Sequence, residues 1–293
     1  MTSPASAQRP PAHTAPSPAE VALAFVKARS AGGSLDRSAR ITLHFHPDRD
    51  FGGVSVLASM LRDGVYRSQF ETGTSNGGLT AFAGGDRWRW ENRMFGGAYD
   101  DAPSAARPVY GSLNFRGRPH GGSPRFGSAF FRLRESALDR ASFCYPDSFL
   151  NPVNFGTAER SQVTALAAAD SRDLLDDYVE AHVHGGVLLA RDVEALVLDP
   201  CFRETAVEET ARQLPCTVEW HPGFVLSIDD VRRYPDFKTP EAVALALRVA
   251  GPDGLLDARM LGETALTGQD DPQTVKYVWH YIARFGVPAG SAG

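Results

Sequence analysis

Cysteine is scarce in this chain. Three occur in 293 residues, Cys144, Cys201 and Cys216, odd in number and widely spaced. No C-x-x-C pair exists, so neither a zinc knuckle nor a disulfide framework is supported. Each cysteine reads as a small buried hydrophobe, and a reduced, cytoplasmic compartment is the simplest expectation. Long apolar runs are missing too. No stretch approaches the roughly 20 residues that cross a bilayer, and residues 1–18 have no apolar segment of the secretory kind. A basic excess is also lacking: 30 Lys and Arg face 35 Asp and Glu, for a net charge of −5. That balance gives no general nucleic-acid signal, although Arg116, Arg118, His120 and Arg125 form a local basic group in a Gly-rich loop that can meet phosphates. No G-x-G-x-x-G follows a strand, no G-x-x-x-x-G-K-[ST] is present and no G-x-S-x-G elbow occurs. These absences argue against a dinucleotide-binding Rossmann unit, a P-loop NTPase and an α/β-hydrolase. No internal repeat is found.

What is present is organised as short strands followed by helices. Residues 1–17 are rich in Pro, Ala, Ser and Thr, and read as a disordered tail that cannot bury enough surface to offset chain entropy. Ser17-Pro18-Ala19-Glu20 supplies an N-cap, a proline at N1 and an acid at N3, opening a helix to about Ser30. Strands are expected at about 40–46, 109–115, 128–134, 141–145, 178–185 and 217–220, and helices at 54–62, 161–176, 202–214, 239–249 and 271–285. Residues 146–160 read as loop, and 192–198 as helix or strand. The expected class is α+β: a central mixed or antiparallel sheet with a helical C-terminal part. Residues 18–205 form the expected core domain with the candidate site, and 206–293 the mainly helical part packed on it.

Two strand-like stretches carry the chemistry. Ile41-Thr42-Leu43-His44-Phe45-His46 and Tyr178-Val179-Glu180-Ala181-His182-Val183-His184 both alternate apolar and polar. Residues two apart in a strand share a face. Ile41, Leu43, Phe45, Val179, Ala181 and Val183 therefore face a core. Thr42, His44 and His46 project the other way, as do Tyr178, Glu180, His182 and His184. Imidazoles and a carboxylate on neighbouring strands bind a metal, move protons or grip a ribose. A metal reading takes His44, His46, His182 and His184 as ligands, with Asp48, Glu180 or His221 completing the shell, and makes the protein a metal-dependent hydrolase. A third reading is a polar sheet face that docks a protein partner without turnover. Asp86, Trp88, Trp90 and Glu91 can form a substrate wall or a structural anchor.

The order from Ile41 to Gly78 is a strand ending in His, a helix closed by Asp63-Gly64, a tyrosine, then a Ser/Thr/Gly loop. That order resembles the NAD-binding half of ADP-ribosyltransferases of the His-Tyr-Glu kind. The resemblance implies an ADP-ribosyltransferase-like sheet and NAD as substrate, with ADP-ribose transferred to an acceptor or to water. By the resemblance, His46, or His44, holds the nicotinamide-side ribose. Tyr66 or Phe70 stacks on nicotinamide, Ser68, Thr72, Thr74 and Ser75 line the pocket, and Glu180 is the catalytic carboxylate. In this sequence Tyr178 stands two before Glu180, where that superfamily often has Glu or Gln, and Pro47 follows His46 where a Gly step is usual. The strings FHPDR, YRSQFETGTSNGG, YGSLNF, PRFGSAFF, DRASFCYPDS and EAHVHGGVLLARDVEAL resemble a second group, the bacterial domain-of-unknown-function family 3626. That group implies no activity. The expected partner is a nucleotide-type small molecule.

Overall fold

Glu20 closes a capping box at the start of the first helix. Its N–H donates to Ser17 Oγ while its carboxylate accepts from the Ser17 N–H, and Pro18 opens the first turn. The computed structural model describes residues 15–73 and 80–291. Most of the expected tail at 1–17, together with Thr74 and Ser75, lies outside the described residues. The main helices are α1 (Pro18–Arg29), α2 (Val56–Asp63), α3 (Asp86–Phe95), α4 (Val163–Ala169), α5 (Ala206–Ala211), α6 (Ile228–Arg233), α7 (Pro240–Val249), α8 (Ala258–Leu266) and α9 (Pro272–Phe285). Among the described residues no helix is long and apolar enough to cross a membrane.

One eight-stranded sheet organises the chain. Its strands are β1 (Arg40–Phe45), β2 (Val109–Asn114), β3 (Ala129–Leu133), β4 (Ala141–Tyr145), β5 (Asn154–Thr157), β6 (Val179–Val183), β7 (Val193–Leu198) and β8 (Thr217–Trp220). The spatial order is β8-β7-β3-β1-β2-β6-β4-β5. Only β7 and β8 run parallel; the other neighbours are antiparallel. The class is thus α+β, as expected. Three local differences stand out. β5 lies where a loop was expected, the 161–176 helix contracts to α4, and 193–198 is strand. β8 also carries the sheet past residue 205, so the sheet is not confined to 18–205.

The two halves of the sheet part at a fork. β1 and β2 pair only through Arg40–Asn114, Ile41–Leu113 and Thr42–Ser112. Beyond Thr42, β1 follows β3 to Phe45–Ala129. β2 follows β6 instead, through Gly111–Ala181, Tyr110–His182 and Val109–Val183. Gly111 sits at the parting. A Cβ there would lie 2.5 Å from Leu43 Cδ2 and 2.7 Å from the Thr42 carbonyl oxygen, so glycine permits the close backbone approach.

The alternation in the sequence assigns the faces correctly but not their surroundings. Ile41, Leu43, Phe45, Val179, Ala181 and Val183 join the main apolar core. The opposite face carries Thr42, His44, Ser112, Ser142, Glu180, His182 and His184, and these are buried as well. An exposed polar face, the basis of the partner-docking reading, is therefore not what these strands present. α3 covers one half of it, with the Trp90 and Phe95 rings 5.1 and 5.6 Å from His182. α9 covers the other, with Trp279 edge-on to His46 at 4.9 Å and its indole N–H donating to the Pro124 carbonyl at 3.0 Å. The C-terminal helices share a second core built on Leu226, Leu245, Val278, Tyr281 and Ile282.

The Gly-rich loop after β2 is a packed strap. Gly122 N–H donates to Thr42 Oγ1 at 3.1 Å, and Ser123 N–H to His44 Nε2 at 3.3 Å. Arg116 and Arg118 pair with Asp177, and Arg125 with Asp176, so this basic group is tied down by neighbouring acids. Gly127 ends the strap against the β1 backbone, where an added Cβ would collide with the Phe45 carbonyl. Gly127→Ala forces the strap off β1 and strains the His44 Nδ1 bond to the Gly127 carbonyl. Overpacking of this kind costs about 1–3 kcal/mol. A lower urea midpoint at unchanged slope is the expected result.

Candidate functional site

A cavity of about 350 Å³ opens in the fork of the sheet, within the size range of small-molecule sites. Segments distant in sequence meet on its wall. His44, Phe45 and His46 come from β1, Tyr66 from the short strand after α2, Arg87 from α3, Tyr110 from β2, and Glu180 from β6, with Asp147 and Ser148 arriving from the loop after β4. The fork explains the convergence. Once β1 and β2 separate, the side chains at their diverging ends border a gap instead of each other.

Glu180 is the best-held acid in this gap. Its Oε1 accepts from His182 Nε2 at 2.9 Å. Its Oε2 accepts from the Ser148 N–H at 3.2 Å and the Ser148 hydroxyl at 3.0 Å. Burial alone would push its pKa up. The His182 hydrogen bond and charge, the Arg87 guanidinium and the Ser148 N–H outweigh burial and hold the carboxyl below its ordinary range. Glu180 is therefore a carboxylate at neutral pH. Behind it runs a buried hydrogen-bonded chain. His182 Nδ1 meets Ser142 Oγ at 3.1 Å, Ser142 Oγ meets His184 Nε2 at 2.9 Å, and His184 Nδ1 meets Tyr99 Oη at 2.7 Å. Ser142 is fully buried and away from the cavity wall, so this serine, histidine and glutamate form a positioning chain and not a nucleophilic triad.

The two β1 histidines differ. His44 spends both ring nitrogens on backbone: Nδ1 lies 3.2 Å from the Gly127 carbonyl, and Nε2 accepts from Ser123. Among the described residues, the polar contact of His46 is a long one, 3.5 Å from Nδ1 to Ser128 Oγ. Burial pushes both pKa values down to about 3, so both rings are neutral. Tyr66 packs near Phe45 and Phe131, and its hydroxyl donates to the His44 carbonyl at 3.3 Å.

The remaining sequence candidates divide. Thr72 lines the cavity. Ser68 does not: it caps the Gln69–Thr72 turn and donates to the Ser104 carbonyl at 2.8 Å. Phe70 is also off the wall, beneath the Arg107 guanidinium at 4.1 Å. Thr74 and Ser75 lie outside the described residues. The four imidazoles of the metal reading are not gathered. His44 and His46 border the cavity, while His182 and His184 are tied to Ser142. His221 bonds the Ser128 carbonyl at 2.8 Å, and Asp48 sits against Gly262 of α8. The metal-capable group among the described residues is Cys144, Glu180 and His182, with ligand atoms within 4.8 Å of one another. Two of these donors already satisfy each other, and burial pushes the Cys144 thiol well up, against the thiolate a metal requires.

Arg87 and Tyr110 are functional candidates that the sequence reading does not single out. Trp90 and Glu91 of the expected substrate wall are structural: Trp90 packs on His182, and Glu91 takes Arg107 at 2.6 Å and the Tyr110 hydroxyl at 2.9 Å. The spacing held a signal. Arg87, Trp90, Glu91 and Met94 are all buried on α3, at the three- and four-residue intervals of one helical stripe, so the arginine had to face inward.

Comparison with known proteins adds two findings. A family model described as "Protein of unknown function (DUF3626)" matches residues 40–172 and 158–281. The "Gene 2 protein" of Mycobacterium phage L5 is 25% identical over 177 residues, which are 52% of this chain and 62% of that protein. The chain therefore spans less than two thirds of the length of that curated relative.

Proposed function

This chain belongs to the DUF3626 family, proteins of unknown function, and we propose that its cavity cleaves the nicotinamide–ribose bond of NAD and passes ADP-ribose to an acceptor or to water. One observation carries the reading. An ionised, buried carboxylate, Glu180, shares a single cavity with His46 and Tyr66, residues more than a hundred positions earlier in the chain.

The chemistry fits those groups. When the glycosidic bond breaks, its electron pair leaves with nicotinamide and neutralises the ring nitrogen. Positive charge develops on the ribose. A carboxylate held by three donors and kept from protonation stabilises that charge and accepts from a ribose hydroxyl. The acceptor, or water, then adds to the sugar and gives up a proton. Tyr66 supplies a flat wall for nicotinamide at low entropy cost. His46, neutral and without a short hydrogen bond among the described residues, is the β1 histidine able to meet a ribose hydroxyl, since His44 is spent on backbone.

Isothermal titration with NAD and a nicotinamide-release assay on the purified full chain test the proposal. Binding together with release is expected. Absence of both removes the reading.

A further inference from the structure

Buried polar atoms normally find partners. Among the described residues, eight buried side-chain nitrogen and oxygen atoms have no well-aligned hydrogen bond: Gln69 Oε1, Arg87 Nε and Nη1, Asp147 Oδ1, Thr157 Oγ1, both nitrogens of His280, and Arg140 Nη2, which is instead ion-paired with Asp192 Oδ2 at 2.8 Å. Four of the eight belong to three residues on the wall of the fork cavity, Gln69, Arg87 and Asp147. Polar satisfaction is withheld where a ligand would supply it.

Arg87 is the most telling of the three. It is 3% exposed, and a buried guanidinium is costly unless paired. Two carboxylates lie near enough to act on its charge, Glu91 and Glu180. Neither pairs with it. Glu91 gives one oxygen to Arg107 and the other to Tyr110. Glu180 gives one to His182 and the other to Ser148. The Tyr110 ring lies beneath the guanidinium at 4.1 Å and fixes its plane. The result is a rigid, planar guanidinium on the cavity wall whose two bidentate edges, Nε–Nη2 and Nη1–Nη2, each keep an unused N–H donor for the oxygens of an anion. On the same wall, Gln69 Oε1 and Asp147 Oδ1 are unused acceptors. They call for hydroxyl or amide donors. An anion and such donors on one molecule describe a phosphorylated ribose.

We infer that Arg87 binds a phosphate group of the cavity's ligand and selects phosphorylated ribosyl compounds over their phosphate-free counterparts. The inference deepens the NAD reading and rests on it for the identity of the ligand. Arg87 is a binding residue here; its charge also helps to hold down the carboxyl of Glu180, which acts on the sugar.

Titration of the full chain with ADP-ribose and with adenosine tests it, on wild type, Arg87→Met and Arg87→Lys. Wild type is expected to bind ADP-ribose at least 10-fold more tightly than adenosine. Arg87→Met is expected to weaken ADP-ribose about 10- to 100-fold, the loss that removal of charge-assisted hydrogen bonds from a buried site entails. Adenosine binding stays unchanged, and Arg87→Lys, which keeps the charge without the fork, falls between. Thermal melting without ligand separates binding from structure. The guanidinium touches the Tyr110 ring but closes no ion pair, and methionine keeps the buried stem and the ring contact, so Arg87→Met does not lower the melting temperature. The inference is overturned if wild type binds neither compound or does not discriminate between them. It is equally overturned if Arg87→Met leaves ADP-ribose affinity intact, or lowers the melting temperature and weakens both compounds alike. Failure of the NAD reading looks different: Arg87-dependent ADP-ribose binding persists while NAD releases no nicotinamide.

Discussion

Between pH 6.5 and 4.5 the protein loses about 4 kcal/mol of stability, a large share of the 5–15 kcal/mol of an ordinary domain. The cause is histidine. Burial holds His44, His46 and His184 down at about 3, His221 at about 4 and His280 at about 2. In the unfolded chain each returns to about 6.5. The unfolded state therefore binds more protons as pH falls through 6.5, and stability falls with pH. Each imidazole withdraws about 2 kcal/mol over this interval. Three acids act in the opposite sense. Burial raises Asp48 and Asp199 to about 6 and Glu91 to about 7. Their folded pKa values lie above the unfolded ones, so the stability they add is complete below the unfolded pKa and fades as pH rises through the folded one. On acidification each returns about 2 kcal/mol. For these eight groups two imidazoles remain unopposed, a net of about 4 kcal/mol; His120 and Glu180, held down, add to the loss on acidification, and Asp147, pushed up by burial, opposes it. Urea unfolding at pH 6.5, 5.5 and 4.5 measures it. A midpoint that is flat or rises on acidification would show that these rings are not buried and neutral together.

The same histidines mark how far the sequence could be read. Alternation in Ile41–Phe45 and Val179–Val183 located two strands and assigned their faces, because a one-residue slip would have inverted every apolar side chain. It could not give the environment of the polar face. In an antiparallel sheet, polar residues on one face ordinarily meet water. Here α3 covers them, and its apolar residues Trp90 and Phe95 sit within a segment dense in charge. β5 stayed hidden because Asn154-Phe155-Gly156-Thr157 is short and contains a glycine. The strap around Gly127 looked like a flexible basic loop because its anchors, Thr42 and His44, lie some 80 residues earlier.

The lining of the candidate site was legible in its acid and aromatic members and not in Arg87. Glu180, His46 and Tyr66 carry local patterns: an alternating strand, a His-Pro step, a tyrosine after an Asp-Gly helix stop. What brings them together is the parting of β1 from β2 after Thr42. A fork is a property of strand pairing, set by Gly111 and by which neighbour each strand follows, and no single segment encodes it. Arg87 depends on the same event. Its inward stripe position on α3 can be read from spacing, but its lack of a partner follows from where four carboxylate oxygens are spent, on four different segments.

On the proposed NAD reading, Glu180→Gln is expected to abolish most nicotinamide release while leaving the fold in place. The substitution keeps the size of the side chain and its ability to accept from Ser148, so the loop after β4 stays docked. It removes the negative charge that meets the developing charge on ribose. Loss of one preorganised electrostatic contact of this type lowers turnover by about 10²- to 10³-fold. Because the charge on the sugar grows only as the bond breaks, kcat carries the loss and KM changes little. His182→Gln acts one step back. It withdraws the largest contribution that holds the Glu180 carboxyl down against burial, so the carboxyl moves up toward neutrality. The acid limb of the rate profile then shifts to higher pH, while the plateau rate stays near wild type. Steady-state nicotinamide release across pH 5 to 8 reads both variants at once. A Glu180→Gln protein as active as wild type would remove the carboxylate from the mechanism. A His182→Gln profile with an unmoved acid limb would remove the imidazole from control of that carboxylate.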